Sequence, residues 1–190
     1  MRCILCQKIS LSIICQTCQN NFLKPSKSMR ILENGTKVYS FYKYKEIQML
    51  LKTKHTYIGA AVYHILAMNS FYHFSKEFSF EKLSIVPIDD IAKSGYSHTA
   101  ILAKVLQNRE NKIYFNTLRA QNKINYSGKK LSYRINNPRN FIFSVKNLEN
   151  IVLIDDIITT GTTILEAVKT IEKVSPSPLF ALTLADARDL

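Results

Sequence analysis

The chain has 190 residues, 46% of them hydrophobic, which is enough to fill one core of about 150 residues beside a small second module and excludes a disordered protein. The longest apolar stretch, residues 57–68, contains a glycine and a histidine and is shorter than the roughly 20 residues that cross a bilayer. The amino terminus lacks a secretory signal pattern, so we expect a cytoplasmic protein, and a peripheral membrane position stays open. The formal net charge of +12 favours polyanionic partners.

All four cysteines lie within the first 18 residues, in two Cys-x-x-Cys pairs that are separated by eight residues. Four thiolates in this arrangement suit the tetrahedral coordination of Zn²⁺, and a reducing cytoplasm disfavours disulfides. We therefore predict a closed structural zinc site formed by Cys3, Cys6, Cys15 and Cys18. An iron–sulfur cluster or a redox pair is the alternative. Because the segment has little apolar content, residues 1–26 are predicted to fold as a small knuckle around the metal.

The rest of the chain, residues 27–190, alternates strand and helix patterns after a polar, proline-broken linker. Strands are predicted at 38–42, 83–87, 113–115, 141–143 and 178–184, and helices at 44–51, 57–68 and 99–106. Repeated strand–loop–helix units are typical of an α/β fold with a doubly wound, mostly parallel sheet, which binds ligands at the carboxyl ends of its strands. Among the scattered histidines, only His98 follows a loop at that edge of the predicted sheet.

A basic segment runs from residue 93 to residue 139, with ten lysines and arginines, one acidic residue and several interleaved tyrosines. Basic side chains that follow phosphates and aromatic rings that stack on bases are typical of single-stranded nucleic acid binding. The alternative is a solvated surface with tyrosines half in the core. Residues 121–140 are predicted to form a flap over the site. The predicted nucleic-acid-binding residues are Lys123, Lys129, Lys130, Arg134 and Arg139.

The most informative segment is residues 151–163, which read Ile-Val-Leu-Ile-Asp-Asp-Ile-Ile-Thr-Thr-Gly-Thr-Thr. Four apolar residues predict a strand that is covered on both faces and ends at Asp155 and Asp156. A helix is predicted over residues 162–174, and its free amides, its dipole and the threonine hydroxyls favour an anion. The alternative is an ordinary strand–turn–helix in which the aspartates cap the helix and the threonines satisfy its first turn.

This segment closely resembles the phosphoribosyl pyrophosphate (PRPP) loop of type I phosphoribosyltransferases. The resemblance implies that Asp155 and Asp156 are the catalytic pair that holds the ribose hydroxyls. It also implies a loop that cradles the 5′-phosphate, formed by Thr159, Thr160, Gly161, Thr162 and Thr163.

The chain also resembles the ComF family of competence proteins. The resemblance is carried by residues 151–163, by the four cysteines and by residues 41–45, 85–98 and 134–141. That resemblance implies a type I phosphoribosyltransferase fold, a structural zinc and the handling of incoming single-stranded DNA in the cytoplasm, with possible partners among DNA-uptake proteins at the inner membrane. The chain departs from the family at Ser94–His98, where an Arg-Gly-Phe-Asn-Gln sequence is usual, and at Asp89-Asp90. Two carboxylates in the corresponding pyrophosphate loop would repel a diphosphate unless Mg²⁺ bridges them.

Three functions follow from these patterns. The first is a DNA-uptake accessory protein that binds PRPP or a related sugar phosphate together with single-stranded DNA. The second is an active phosphoribosyltransferase that uses PRPP and Mg²⁺ with an unidentified base or amine acceptor. The third is a PRPP-sensing regulator that binds RNA or a protein.

Overall fold

Most of the chain surrounds one central sheet in the computed structural model, which describes residues 1–77, 82–89, 95–122, 133 and 136–188. The strands are β1 (Ser28–Ile31), β2 (Lys37–Lys43), β3 (Ser84–Pro87), β4 (Lys112–Ile113), β5 (Leu118–Ala120), β6 (Phe141–Phe143), β7 (Ile151–Ile158) and β8 (Phe180–Asp186). Six of them form a sheet in the order β1-β2-β8-β7-β3-β4. The edge strand β1 is antiparallel to β2, and every other pairing in this sheet is parallel. β5 and β6 form a separate antiparallel pair.

Helices cover both faces of the sheet. They are α1 (Gln16–Phe22), α2 (Tyr44–Leu51), α3 (Gly59–Ala67), α4 (His73–Glu77), α5 (His98–Lys104) and α6 (Thr162–Ile171). A 3-10 turn, Lys52–His55, follows α2, and a π-helical turn, Met68–Tyr72, joins α3 to α4. Helices α2, α3 and α5 pack on one face, and α6 packs on the other with β5 and β6. The prediction of a doubly wound, mostly parallel α/β sheet is confirmed.

β7 shows why the apolar run at residues 151–154 forms a central strand. Val152 and Ile154 pack with α2, α3 and α5, whereas Ile151 and Leu153 pack with α6. Because alternate side chains enter two different cores, all four positions are apolar. The predicted strand end was wrong, because β7 continues through both aspartates to Ile158. Its pairing with β8 continues to Asp186, which supplies backbone partners beyond the carboxylates.

The predicted cysteine knuckle, residues 1–26, shares its buried side chains with the main domain. Cys3, Ile14, Cys18 and Leu23 belong to the same buried cluster as the residues of α2, α3 and α5. Polar contacts support this docking, since Tyr42 OH donates to the Leu23 carbonyl at 3.1 Å. The stability of the segment is therefore coupled to that of the sheet.

Two features escaped prediction because their patterns are short. β1 has four residues and follows a proline-broken stretch, and β5 has three. The predicted flap at residues 121–140 begins directly after β5 and ends directly before β6, and residues 123–132, 134 and 135 of it lie outside the described residues. No helix in the described part of the chain is long and apolar enough to span a bilayer.

Candidate functional site

The candidate site lies where the parallel strands end. The carboxyl ends of β3, β7 and β8 meet at one edge of the sheet, because these strands run parallel to one another. Asp155 and Asp156 occupy the last part of β7, and the threonine-rich loop follows directly before α6. Both predicted elements of the site are thus brought to the edge at which ligands bind in doubly wound folds.

Gly161 allows the loop to turn tightly into α6. Its φ of +85° is a left-handed conformation that side chains disfavour, and a Cβ at this position would lie 2.8 Å from Cδ2 of Leu32. Only glycine fits this position without a shift of Leu32. The first helical hydrogen bond is donated by Leu165 N to the Gly161 carbonyl, so the amides of residues 162–164 precede the helical ladder.

The threonine-rich loop is anchored at Thr159 and presents the hydroxyl groups of Thr160 and Thr162. Arg30 of β1 donates to the Thr159 carbonyl at 2.6 Å and also approaches Asp186 Oδ1 at 3.3 Å, which anchors the start of the loop to β1 and β8. Thr160 is exposed, and its hydroxyl lies 2.8 Å from that of Thr162. Hydroxyls and helix amides therefore meet at the positive end of α6, an arrangement that favours a phosphate group.

Asp156 is buried and is the centre of a polar cluster. Its Oδ2 accepts hydrogen bonds from Lys54 Nζ at 3.1 Å and Tyr63 OH at 3.2 Å, and it lies 3.6 Å from His98 Nε2. Burial opposes ionisation, but the positive charges of His98 and Lys54 and the hydrogen bonds from Lys54 and Tyr63 outweigh it and hold the pKa of Asp156 at about 2. Asp156 is accordingly a carboxylate at neutral pH.

Lys54 is held near Asp156 by its backbone. The Tyr96 hydroxyl donates to the Lys54 carbonyl at 2.6 Å in the 3-10 turn. A Cβ on Gly59 would collide with that hydroxyl and with the Thr53 carbonyl, so the close approach requires glycine. The expectation that His98 lies at the edge of the sheet is met by its contact with Asp156. Sequence reasoning missed Lys54 and Tyr63, because nothing in their local patterns distinguishes them from an exposed lysine and a core tyrosine.

Asp155 differs from its neighbour in both exposure and protonation. It is half-buried, and its Oδ1 accepts a hydrogen bond from the Asp156 amide at 2.8 Å. Burial and the charge of Asp156 raise the pKa of Asp155 to about 7, while that hydrogen bond and the positive charges of Arg139 and Lys54 limit the rise. The edge of the sheet thus carries one fixed carboxylate and one carboxyl group that titrates near neutrality, and both kinds of group hydrogen-bond to hydroxyls.

The loop after β3 was expected to present Asp89 and Asp90 to a diphosphate. Asp90 lies outside the described residues. Asp89 points its carboxylate at the base of the flap, where Oδ2 accepts from Arg139 Nη1 at 3.2 Å and Oδ1 accepts from Ala120 N at 3.2 Å. Glu166 of α6 accepts the amides of Arg139 and Asn140 at 3.0 and 2.6 Å. The charge of Asp89 is thus paired within the protein.

Among the five predicted nucleic-acid-binding residues, the structure describes Arg139 alone. Its position beside Asp89 places it at the edge of the candidate site, and its side chain is only 21% exposed. The prediction that it contacts nucleic acid stays untested. Outside the described residues lie Lys123, Lys129, Lys130 and Arg134.

Comparison with known protein families identifies the family of the chain. Residues 20–185 match the family PRTase-CE. The chain belongs to the PRTase-CE family. The matched region of this phosphoribosyltransferase-like protein contains the sheet, the carboxylates and the threonine-rich loop. The comparison with curated proteins found no match.

The four cysteines precede the matched region and form a compact cluster. Their Sγ atoms all lie within 4.8 Å of one another, and the Cys6 and Cys15 sulfurs are 3.7 Å apart. Tetrahedral coordination with Zn–S bonds of about 2.3 Å separates two sulfurs by about 3.8 Å, so the residues fit a single zinc ion. The amides of Cys15 and Cys6 lower the pKa of Cys3 to about 6, whereas burial raises the pKa of Cys18 to about 12. The predicted ligand set is thus brought together.

Proposed function

We propose that this protein binds PRPP or a related sugar phosphate at residues 155–163. The 5′-phosphate accepts hydrogen bonds from the amides at the start of α6 and from the hydroxyls of the preceding loop. Asp155 and Asp156 bind the ribose hydroxyls. The observation that carries the proposal is the common position of the carboxylates, the left-handed Gly161 and the helix amides at one edge of the sheet.

The two carboxyl groups have different roles in this proposal. Asp156 already accepts hydrogen bonds from Lys54 and Tyr63 through Oδ2, so besides binding the sugar it orients the cluster and contributes fixed negative charge. Asp155 is half-buried and is the more accessible of the two to a sugar. Mg²⁺ prefers carboxylate and phosphate oxygens, so a magnesium ion carried by a diphosphate has a ligand in Asp155. Any magnesium would therefore arrive with the diphosphorylated ligand.

A calorimetric titration with PRPP, with and without Mg²⁺, tests the proposal. In Asp155→Ala/Asp156→Ala we expect the affinity to fall at least about a hundredfold, since two charged hydrogen bonds together contribute roughly 3–6 kcal/mol. The single variant Asp155→Ala keeps Asp156, the partner of Lys54. It therefore shows whether the loss of affinity occurs without disturbing the polar cluster. The control is Glu149→Ala/Glu172→Ala, which removes two exposed carboxylates elsewhere. Equal affinities in all four proteins would reject the site.

The family membership favours a second candidate function, an active phosphoribosyltransferase that displaces diphosphate from PRPP with a base or an amine. In this reaction Asp155 and Asp156 stabilise the positive charge that develops on the ribose, and positioning provides most of the catalysis. Release of diphosphate from PRPP during a screen of bases and amines distinguishes the enzyme from a protein that only binds.

We further propose, from the charge and the resemblance to ComF proteins, that the protein binds single-stranded DNA during DNA uptake. The described part of the basic segment supports this, because Lys104, Arg109, Lys112 and Arg119 are all exposed. Phe115, in the same segment of the sequence, is also exposed and offers a surface for base stacking. Assembly with DNA-uptake proteins at the inner membrane is part of the same proposal.

DNA binding is expected to depend on Lys129, Lys130 and Arg134. Replacing all three with alanine should weaken binding of single-stranded DNA and lower the slope of log affinity against log salt by about 2, because each phosphate contact contributes about 0.7. The matched control, Lys146→Ala/Lys169→Ala/Lys173→Ala, removes the same charge from three exposed positions outside the basic segment. Fluorescence anisotropy over a range of salt concentrations measures the affinity for single-stranded DNA and its salt dependence. Identical slopes for the two triple variants would contradict the proposed surface, and a preference for structured RNA would favour a regulator.

A further inference from the structure

The Asp89 carboxylate forms an ion pair with Arg139, whose charge acts on Asp155 of the proposed sugar site. Asp89 follows β3 directly after Ile88, and its side chain is 15% exposed. It has a φ of +50°, and its amide donates to the Leu118 carbonyl at 3.0 Å, so its backbone turns away from β7 and toward β5. Both carboxylate oxygens accept hydrogen bonds, one from Ala120 N and one from Arg139. Asp89 is therefore built into the base of the flap.

Arg139 contacts Asp89 directly and acts on Asp155 through its charge. Its positive charge acts on Asp155 as well as on Asp89, since it limits the rise in the Asp155 pKa that burial and Asp156 cause. Its backbone is fixed, because its amide and that of Asn140 bind the Glu166 carboxylate and its carbonyl accepts from Asn122 N at 3.0 Å. The guanidinium is the part of Arg139 that can change partner while the flap base stays in place.

We propose that Asp89 is a specificity-determining residue, which holds Arg139 in an ion pair that a sugar 1-diphosphate must break and a sugar monophosphate need not. This inference rests on the proposed sugar-phosphate site. A 5′-monophosphate binds at the start of α6, whereas the backbone of Arg139 is held at Glu166, one helical turn further along α6. A diphosphate on C1 extends away from that loop, and in this proposal it meets the Arg139 guanidinium, whose charge acts on Asp155.

Competition for Arg139 gives the direction of the effect. A diphosphate that binds the guanidinium first displaces Asp89, so its apparent affinity is the intrinsic affinity multiplied by the fraction of time that the ion pair is broken. It also approaches a carboxylate that keeps its negative charge, which is unfavourable. A neutral residue at position 89 removes both the cost of breaking the ion pair and the repulsion between the carboxylate and the diphosphate. The wild-type site therefore favours ribose 5-phosphate over PRPP more strongly than a site without this carboxylate.

The test measures the dissociation constants of ribose 5-phosphate and PRPP by calorimetry for wild type and Asp89→Asn. Asparagine keeps the acceptor for Ala120 N and removes the charge, so the flap base is preserved. We expect Asp89→Asn to tighten PRPP binding about three- to tenfold while the affinity for ribose 5-phosphate stays within about twofold. Arg139→Gln in the Asp89→Asn background is expected to reverse the gain. The control Glu77→Gln neutralises an exposed carboxylate that pairs with Lys27, and both affinities should remain at the wild-type values.

Two results would overturn the inference while leaving the proposed function in place. One is an unchanged ratio of the two affinities in Asp89→Asn. The other is weaker binding of PRPP by Asp89→Asn than by wild type in the presence of Mg²⁺. That result would mean that Asp89 is a metal ligand and does not compete with the diphosphate. Failure of both ligands to bind wild type would reject the proposed function itself, and this inference with it. Thermal melting of each variant confirms that the compared proteins are folded.

Discussion

Removal of the metal from the cysteine cluster is expected to abolish the cooperative thermal unfolding of the whole protein. Structural zinc contributes about 10–16 kcal/mol in small zinc-binding peptides, which matches or exceeds the roughly 5–15 kcal/mol that stabilises a typical domain. The effect should reach beyond residues 1–26, because Cys3, Cys18 and Leu23 belong to the buried cluster that covers one face of the sheet. We expect Cys18→Ser, or treatment of the wild type with a chelator, to produce the same broadened melting transition.

The zinc content and the melting curve of purified protein check this prediction together. One zinc per chain is expected in wild type, with a clear loss in Cys18→Ser. Leu11→Ser is the matched control within the same segment, because Leu11 is fully exposed and its removal should leave both measurements unchanged. Cooperative melting of the metal-free protein at the wild-type temperature would show that the cysteines do not support the core.

Gly161→Ala is expected to lower the affinity for ribose 5-phosphate at least about tenfold, the equivalent of about 1.4 kcal/mol. Two costs combine at this residue. The left-handed backbone conformation costs an alanine about 1–2 kcal/mol, and the new Cβ also collides with Leu32. The loop can relieve these costs only by moving away from the start of α6, and that movement separates the threonine hydroxyls from the helix amides.

Two further variants serve as comparisons in titrations with ribose 5-phosphate. Gly35 lies in the turn between β1 and β2, has nearly the same φ, +84°, and a Cβ on it would meet nothing within 4 Å, so Gly35→Ala introduces backbone strain away from the loop and should leave the affinity unchanged. Leu32→Ala in the Gly161→Ala background removes the collision and should restore part of the affinity. A Gly161→Ala protein that binds ribose 5-phosphate as tightly as wild type would show that the loop does not hold the phosphate.

Local patterns were sufficient to predict the sheet and one side of the site. The apolar run at residues 151–154 and the Asp-Asp and threonine sequence that follows lie in consecutive positions, so the strand, the loop and the start of α6 could be recognised together. The helix at 44–51 was predicted with its observed bounds because its apolar spacing and its flanking strand agree. The cysteine cluster was predictable for the same reason, since its ligands are close in sequence.

The partners of the carboxylates could not be predicted because they are far away in the chain. Lys54 and Tyr63 precede Asp156 by 102 and 93 residues, and Asp89 precedes Arg139 by 50. Their roles depend on helix packing and on the placement of the flap base, which no local pattern encodes. The strand β1 was missed as well, and with it the contact between Arg30 and the phosphate loop, because four residues beside a proline-broken linker carry too little periodicity.

The end of β7 shows how tertiary pairing overrides a local signal. Two adjacent aspartates predicted the end of the strand, since charged residues are costly inside a sheet. The strand continues because Asp156 is compensated by Lys54, Tyr63 and His98, and Asp155 remains half-buried. The contacts of Asp156 with distant residues therefore explain both the longer strand and the position of two carboxyl groups at the edge of the sheet.

A crystal structure of the protein soaked with ribose 5-phosphate tests the central claim most directly. We expect the phosphate group at the start of α6, within hydrogen-bonding distance of the amides of residues 162–164, and the ribose hydroxyls at Asp155. A ligand bound elsewhere, or a loop that closes on its own side chains and leaves no room for the phosphate, would contradict the account.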